Sequence, residues 1–453
     1  MNLSKPTILL LIIFSAFGCT KETITEKTII RDSLSINGSN QLTISKSSLG
    51  KAFILIPTMT SSGQYPDVNY IRPLIISFEK AGDKVGLFNL TEEQLYKTIP
   101  SDRLLQTFNV LSENEASLTF NLSNGFTSFD FRDTLGLIMK DIYANIKQTL
   151  QSGNESSLEV KDSFIRSTES SNNSIFIEQV MRITTRSLQE KAKTQLVTTE
   201  NTSTFLFEIK PYITNPTFQS KIYDKEQRIG YFLNFALQKQ IDEPIPQITR
   251  WDIDDKREPI VVRIHSDTPE AVLKSLKEGI LYWNRVLGRN ILIIGKPFNS
   301  NEKQLDRTIH VFWIPWDSAG YARAGFQADP ITGEIFRGQV FMTSSWYKTT
   351  QDEFKLLLSS NNLNSQPKSV QCALDQSQLL SPEILNITDN TLIEKISLDT
   401  IRTVLAHEMG HVLGLRHNFA GSSTTGASDI DFSKQKNNYL QGTEQDFAAS
   451  ATT

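Results

Sequence analysis

Three of the chain's five histidines fall within eleven residues, in the run His407-Glu408-Met409-Gly410-His411-Val412-Leu413-Gly414-Leu415-Arg416-His417. No other feature constrains the fold as strongly. His407 and His411 are four positions apart, which stacks them on one face of a helix. Their imidazoles can then converge on a single ion, with Zn–N bonds of about 2.0–2.1 Å. Ile401, Val404, Leu405 and Val412 give the same helix an apolar surface to anchor in a core. Gly414 stands where a helix stops in a left-handed conformation that only glycine adopts cheaply. That turn would swing the chain back and bring in His417 as a third ligand. Three protein ligands leave a fourth position for water, as in catalytic zinc sites. Glu408 sits at the edge of the histidine face, placed to hold that water and not to ligate the metal. The whole pattern should arise by chance on the order of a few times per million such chains, so accidental surface histidines are set aside. A site that binds metal without catalysing a reaction remains a separate possibility.

At these residues the chain resembles the metzincin zinc metalloendopeptidases. The resemblance implies that His407, His411 and His417 ligate Zn2+ and that Glu408 is the general base of peptide-bond hydrolysis. Arg228-Ile229-Gly230-Tyr231-Phe232, the hairpin Asp329-Pro330-Ile331-Thr332-Gly333-Glu334-Ile335 and the string His411 to Phe419 resemble a bacterial branch of secreted metalloproteases. One departure stands out. Metzincins carry a methionine turn beneath the zinc, after the third histidine. The methionines here are Met1, Met59, Met139, Met181, Met342 and Met409. None follows His417, so the expectation is a C-terminal subdomain that is missing from this sequence or degenerate.

Upstream, from Pro259, strands and helices alternate. Ile260 to Ile264 reads as a strand. Thr268-Pro269-Glu270 reads as a helix start, with threonine as N-cap and proline at the first helical position. Val272, Leu273, Leu276, Ile280, Trp283 and Leu287 recur at helical spacing, and Gly288 ends the helix. Ile291–Ile294 and Ile309–Ile314 are apolar strands. Ala322–Ala328 and Ile335–Thr343 flank a segment with hairpin chemistry. Residues 348–395 read as mostly loop, and the histidine helix covers about Asp399 to Leu413. The resemblance implies that Ala324, Gly325, Phe326, Gln327 and Ala328 form an antiparallel edge strand over the cleft, where an extended peptide binds by strand addition. A plain edge hairpin is the alternative. His265 and His310 lie in or near strands and read as structural. Asp429 and Asp431 are weak calcium candidates.

Residues 46–215 form a β-rich region, with short β-formers such as Ala52–Ile56, Pro73–Phe78, Lys84–Phe88 and Ser117–Leu122 between turn residues. Further strands are expected near Ile175–Thr184 and Ser203–Ile209. Helices are expected over Thr91–Ile99 and Thr134–Leu150. Nothing in this region carries recognisable chemistry. Residues 216–250 read as a connector, and residues 251–453 as the metzincin-like domain. The overall expectation is an α+β chain: a twisted mixed sheet with a long helix and an active-site helix, preceded by a β-rich domain.

The first residues read as an address. Lys5 precedes an apolar run from Ile8 to Phe17, too short for a stable span, and Ala16-Phe17-Gly18-Cys19 resembles a bacterial lipoprotein signal. On this reading residues 1–18 are removed, Cys19 is lipidated and residues 19–45 are a tether. The protein would then sit in the bacterial cell envelope. An ordinary secretory signal with an incidental cysteine is the alternative. Cys372 then has no partner and reads as a small buried hydrophobe. With 46 Lys+Arg against 50 Asp+Glu, the net charge of −4 gives no field for nucleic acid. The expected partners are a protein or peptide substrate and the membrane. Two other functions compete. One is a tethered binding or assembly lipoprotein carrying an inactive zinc module. The other is a zinc hydrolase of non-peptide amides.

Overall fold

The computed structural model describes residues 33–38, 40–61, 69–90, 104–122, 124–127, 157–171, 174–188, 196–224, 230–236, 245–300, 302–318, 320–359 and 390–417. Cys19, Cys372, Asp429, Asp431 and the helices expected over Thr91–Ile99 and Thr134–Leu150 lie outside them.

The first half is β apart from a short 3-10 turn at Lys46–Ser48 among these residues. Its strands are β1 (Leu34–Ile36), β2 (Gln41–Ser45), β3 (Phe53–Ser61), β4 (Asn69–Tyr70), β5 (Leu74–Ala81), β6 (Lys84–Asn89), β7 (Leu104–Glu113), β8 (Ser117–Asn121), β9 (Ser157–Ser171), β10 (Ser174–Leu188) and β11 (Leu196–Pro211). They form one antiparallel sheet in the order β1-β2-β8-β7-β6-β5-β3-β11-β10-β9, with β4 beside β3. Alternation explains it: in β2, Leu42 and Ile44 are buried while their neighbours are half-exposed. The sheet curls until its ends approach, and Thr168 on β9 donates to the Asn37 carbonyl beyond β1. Phe53, Phe78, Phe108, Phe120, Phe126, Phe205 and Phe207 fill the interior. β1 and β2 correct the expected tether. Residues 34–36 and 41–45 look polar in sequence because a strand with one buried face needs only every second residue apolar.

The second half is mixed. β12 (Leu233–Ala236) pairs with β13 (Ile245–Ile248). A second sheet contains β14 (Arg250–Trp251), β15 (Ile260–Ile264), β16 (Leu292–Ile294), β17 (Thr308–Ile314), β18 (Ala322–Ala328) and β19 (Glu334–Thr343). Its order is β14-β19-β17-β15-β16, parallel throughout, and β18 pairs antiparallel with β19. Three helices accompany it among the described residues: α1 (Glu270–Leu287), α2 (Ser345–Ser359) and α3 (Asn390–Val412). The molecule is therefore α+β. α1 and α3 pack together, and Trp283 on α1 donates its indole N–H to the Ala406 carbonyl on α3 at 2.8 Å.

Several expectations need correction. α1 begins at Glu270 with Pro269 as its cap residue, and Thr268 makes no capping bond. The left-handed stop at Gly288 is where it was expected. The stretch read as loop over 348–395 opens inside α2, where buried Trp346 and Thr350 lie one turn apart. α3 starts at Asn390, about two turns early, because Ile393, Ile396 and Ser397 continue the buried face. The described residues of 216–250 are no loose connector. Phe232 belongs to the second core, and Ile248 and Thr249 are buried.

The halves meet over a built seam. Ile54, Ile56 and Ile75 pack against Ile331 and Phe336. Buried Arg337 on β19 pairs with buried Glu208 on β11 at 2.6 Å and with Asp306 at 2.7 Å. Burial would raise the Glu208 carboxyl, but the Arg337 and Lys210 charges outweigh it and hold the group below its ordinary value.

Candidate metal centre

α3 carries His407, Glu408 and His411 into the second core, where Ile401, Val404, Leu405, Met409 and Val412 hold it. The helix ends as its sequence requires. Gly414 adopts φ 102°, its N–H donates to the His411 carbonyl, and the Leu415 N–H reaches the Gly410 carbonyl. A side chain at Gly414 would also place its Cβ 2.4 Å from the Thr249 carbonyl. Glycine is thus demanded twice, by conformation and by space.

The turn delivers His417 to the helix face. Its Nε2 lies 3.1 Å from His407 Nε2 and 3.1 Å from His411 Nε2. The His411 Nδ1–H donates to the Leu415 carbonyl at 2.8 Å, which leaves its Nε2 lone pair aimed at the other two rings. One proton on His417 Nε2 cannot point at two acceptors at once, whereas a cation between the rings satisfies all three. Tetrahedral bonds of about 2.05 Å would space ligand nitrogens about 3.3 Å apart, close to the separations found here. The donor set and its spacing fit zinc. Among the described residues this is the group of three ligand-type side chains within reach of one ion.

The electrostatics agree with that chemistry. Burial lowers His411 to about 4 and lowers His417 as well, so both rings are neutral ligands near pH 7. Glu408 is only 3% exposed, and burial pushes its carboxyl up to about 8. A carboxyl poised near neutrality, on the residue that follows His407 in α3, is suited to accept and release a proton.

The edge strand divides. Ala324, Gly325, Phe326 and Gln327 are buried and Ala328 is half-buried. Phe326 leans toward the site: its ring lies 5.3 Å from Phe232, which meets His411 edge-on at 6.1 Å. Gln327 turns away, and its amide donates to the Pro57 carbonyl and the Thr58 hydroxyl of β3. A cavity of about 350 Å³ lies at the seam, between residues such as Tyr212, Arg257 and Glu334, and contains none of the histidines. His265 and His310 stay apart from the triad, grouped with Phe298. Motif spacing did not reveal Leu415 as the partner of His411, because that contact is a backbone carbonyl and carries no residue-type signal.

With this geometry in hand, comparison with known proteins adds one finding. Residues 389–437 are similar to the Met-zincin family. The match covers all of α3, the glycine turn and all three histidines, and it supports a zinc metalloprotease-like module there. No curated protein and no solved structure matches the chain.

Proposed function

We propose that this protein is a zinc-dependent metalloendopeptidase with His407, His411 and His417 as ligands and Glu408 as general base. The convergence of three imidazole nitrogens within 3.1 Å contacts, next to a buried carboxyl, carries the reading. Zinc bound there would acidify a water toward a pKa of about 7 and polarise the scissile carbonyl. The Glu408 carboxylate accepts the nucleophile's proton and returns it to the leaving amine. Ala324 to Phe326 lie on the antiparallel edge strand that would align an extended peptide, and the metzincin-like arrangement of residues 251–453 is part of the same proposal. Replacing Glu408 with Gln should leave about one zinc per chain and reduce cleavage of a peptide library by at least about 100-fold. Cleavage at the wild-type rate would remove Glu408 from the mechanism.

A second reading has one observation in its favour. The β-rich half holds Gln327 of the edge strand, so that half could be the working part of a binding lipoprotein with an inactive module. Bound zinc with no cleavage of any library peptide would support it. In either case we place the protein in the bacterial cell envelope through a lipid on Cys19. Each buried CH₂ of such a chain contributes about 0.8 kcal/mol. No described helix is long and apolar enough to cross a membrane.

A further inference from the structure

We propose that Gly230, Tyr231 and Phe232 form a strap that positions His411 and His417 for metal binding. The proposal rests on the metal-binding part of the function above and does not require turnover.

His407 and His411 are held by a helix, but His417 lies five residues beyond its end. Fixing a residue of free backbone costs conformational entropy, so a ligand on an unsupported turn binds metal at a penalty. The turn here is supported from outside the helix. The Phe232 N–H donates to the Gly414 carbonyl at 3.0 Å, and the Arg416 N–H donates to the Gly230 carbonyl at 2.9 Å. These two bonds frame an antiparallel bridge between Tyr231 and Leu415. The strap is anchored on its far side, where the Thr249 N–H donates to the Phe232 carbonyl at 2.8 Å and β12 continues into its pairing with β13.

Two further contacts tie the strap to the ligands. Leu415, the bridge partner of Tyr231, also supplies the carbonyl that orients His411. Holding Leu415 in register therefore holds the ring of His411 and its tautomer. Buried Phe232 lays its ring edge-on against His411. Gly230 is required by the close approach of the two chains. A Cβ there would come 3.1 Å from the Arg416 Cβ and 3.3 Å from the His417 carbonyl. Both are tighter than ordinary contacts, and relieving them would push the third ligand away from the helix.

These are positioning residues, and the test must separate positioning from folding. Zinc affinity of the full chain is measured by chelator competition, and cobalt is substituted to read the ligand field from its visible absorption. The melting temperature of the metal-free protein is recorded alongside. Gly230→Ala and Phe232→Ala should each weaken zinc binding by about 10–100-fold and alter the cobalt spectrum, the usual cost of losing outer-shell support. Phe232→Leu, which keeps apolar bulk, should recover most of the affinity. Val272→Ala on α1 is the control: it removes buried volume from the same core and should lower the melting temperature with the cobalt spectrum unchanged. Folded Gly230→Ala and Phe232→Ala proteins with wild-type zinc affinity and a wild-type cobalt spectrum overturn the strap. Should Gly230→Ala fail to fold, the two Phe232 variants decide alone. A wild-type chain that takes up no zinc or cobalt overturns the metal centre itself, and the strap with it.

Discussion

The β-rich half and the histidine-bearing half bury comparable apolar cores but differ in what else they bury. In the first, the interior is a run of phenylalanines, the one buried charge among its described residues is Glu208 at the seam, and the polar group inside the core is Gln179. Its amide closes on the Phe126 backbone in both directions, with both bonds at 2.9 Å. That is a polar residue used as a brace. In the second, the carboxyls of Asp252 and Glu408, the His310 imidazole and the Arg337 guanidinium are taken out of water. All five histidines of the chain lie after residue 250. Burying ionisable groups costs stability unless they are paired, so a domain that does it repeatedly has a use for the altered proton affinities. The first half holds its shape with aromatic packing; the second buries titratable groups in the same core that carries the histidine helix.

Three variants probe that contrast. Phe126→Ala should cost the most, about 3–5 kcal/mol, because a fully buried ring packed against Phe108 and Phe207 leaves a cavity. Denaturant unfolding measures the loss, and zinc affinity of the folded fraction should stay at the wild-type value. A drop in zinc affinity would mean the halves are coupled more tightly than their division of labour suggests.

Glu208→Ala tests the seam. It leaves Arg337 buried without its closest carboxylate and should cost about 3 kcal/mol. If unfolding then separates into two transitions, the ion pair joins two units that each fold alone. A single unchanged transition would show that the isoleucine contacts suffice.

The smallest effect concerns pH. His310 is 3% exposed, and burial lowers it to about 3 from an ordinary 6.5. Because its folded value is depressed, the unfolded chain binds the extra proton first. Stability is full above pH 6.5 and falls as pH drops toward 3, by about 2 kcal/mol at pH 5. His310→Phe, stacked on Phe298 in the same place, should flatten that slope in stability measured against pH. An unaltered slope would assign the acid sensitivity to other groups.

How much of this could be read from the residues differs by element. The convergence of the three histidines was legible because helical spacing and one glycine are local constraints, and the chain obeys both at His407, His411 and Gly414. The α1 stop at Gly288 and the strands around His310 follow from equally local patterns. The described parts of 34–45, 216–250 and 348–395 depart from the tether, connector and loop expected there for a shared reason: each stretch is polar in composition, and its strands and helices pack only against distant partners.

Residue order alone therefore determined the chemistry of this protein, an imidazole triad with an adjacent acid at the end of an apolar helix. Tertiary structure decided what supports that triad and what confines it: the Gly230–Phe232 strap, the Leu415 carbonyl and the capture of Gln327 by β3. Each of them turns on a backbone carbonyl, at Gly230, Gly414, Leu415 or Pro57, accepting a hydrogen bond. Every residue type can make such bonds, so spacing in the sequence leaves no mark of them.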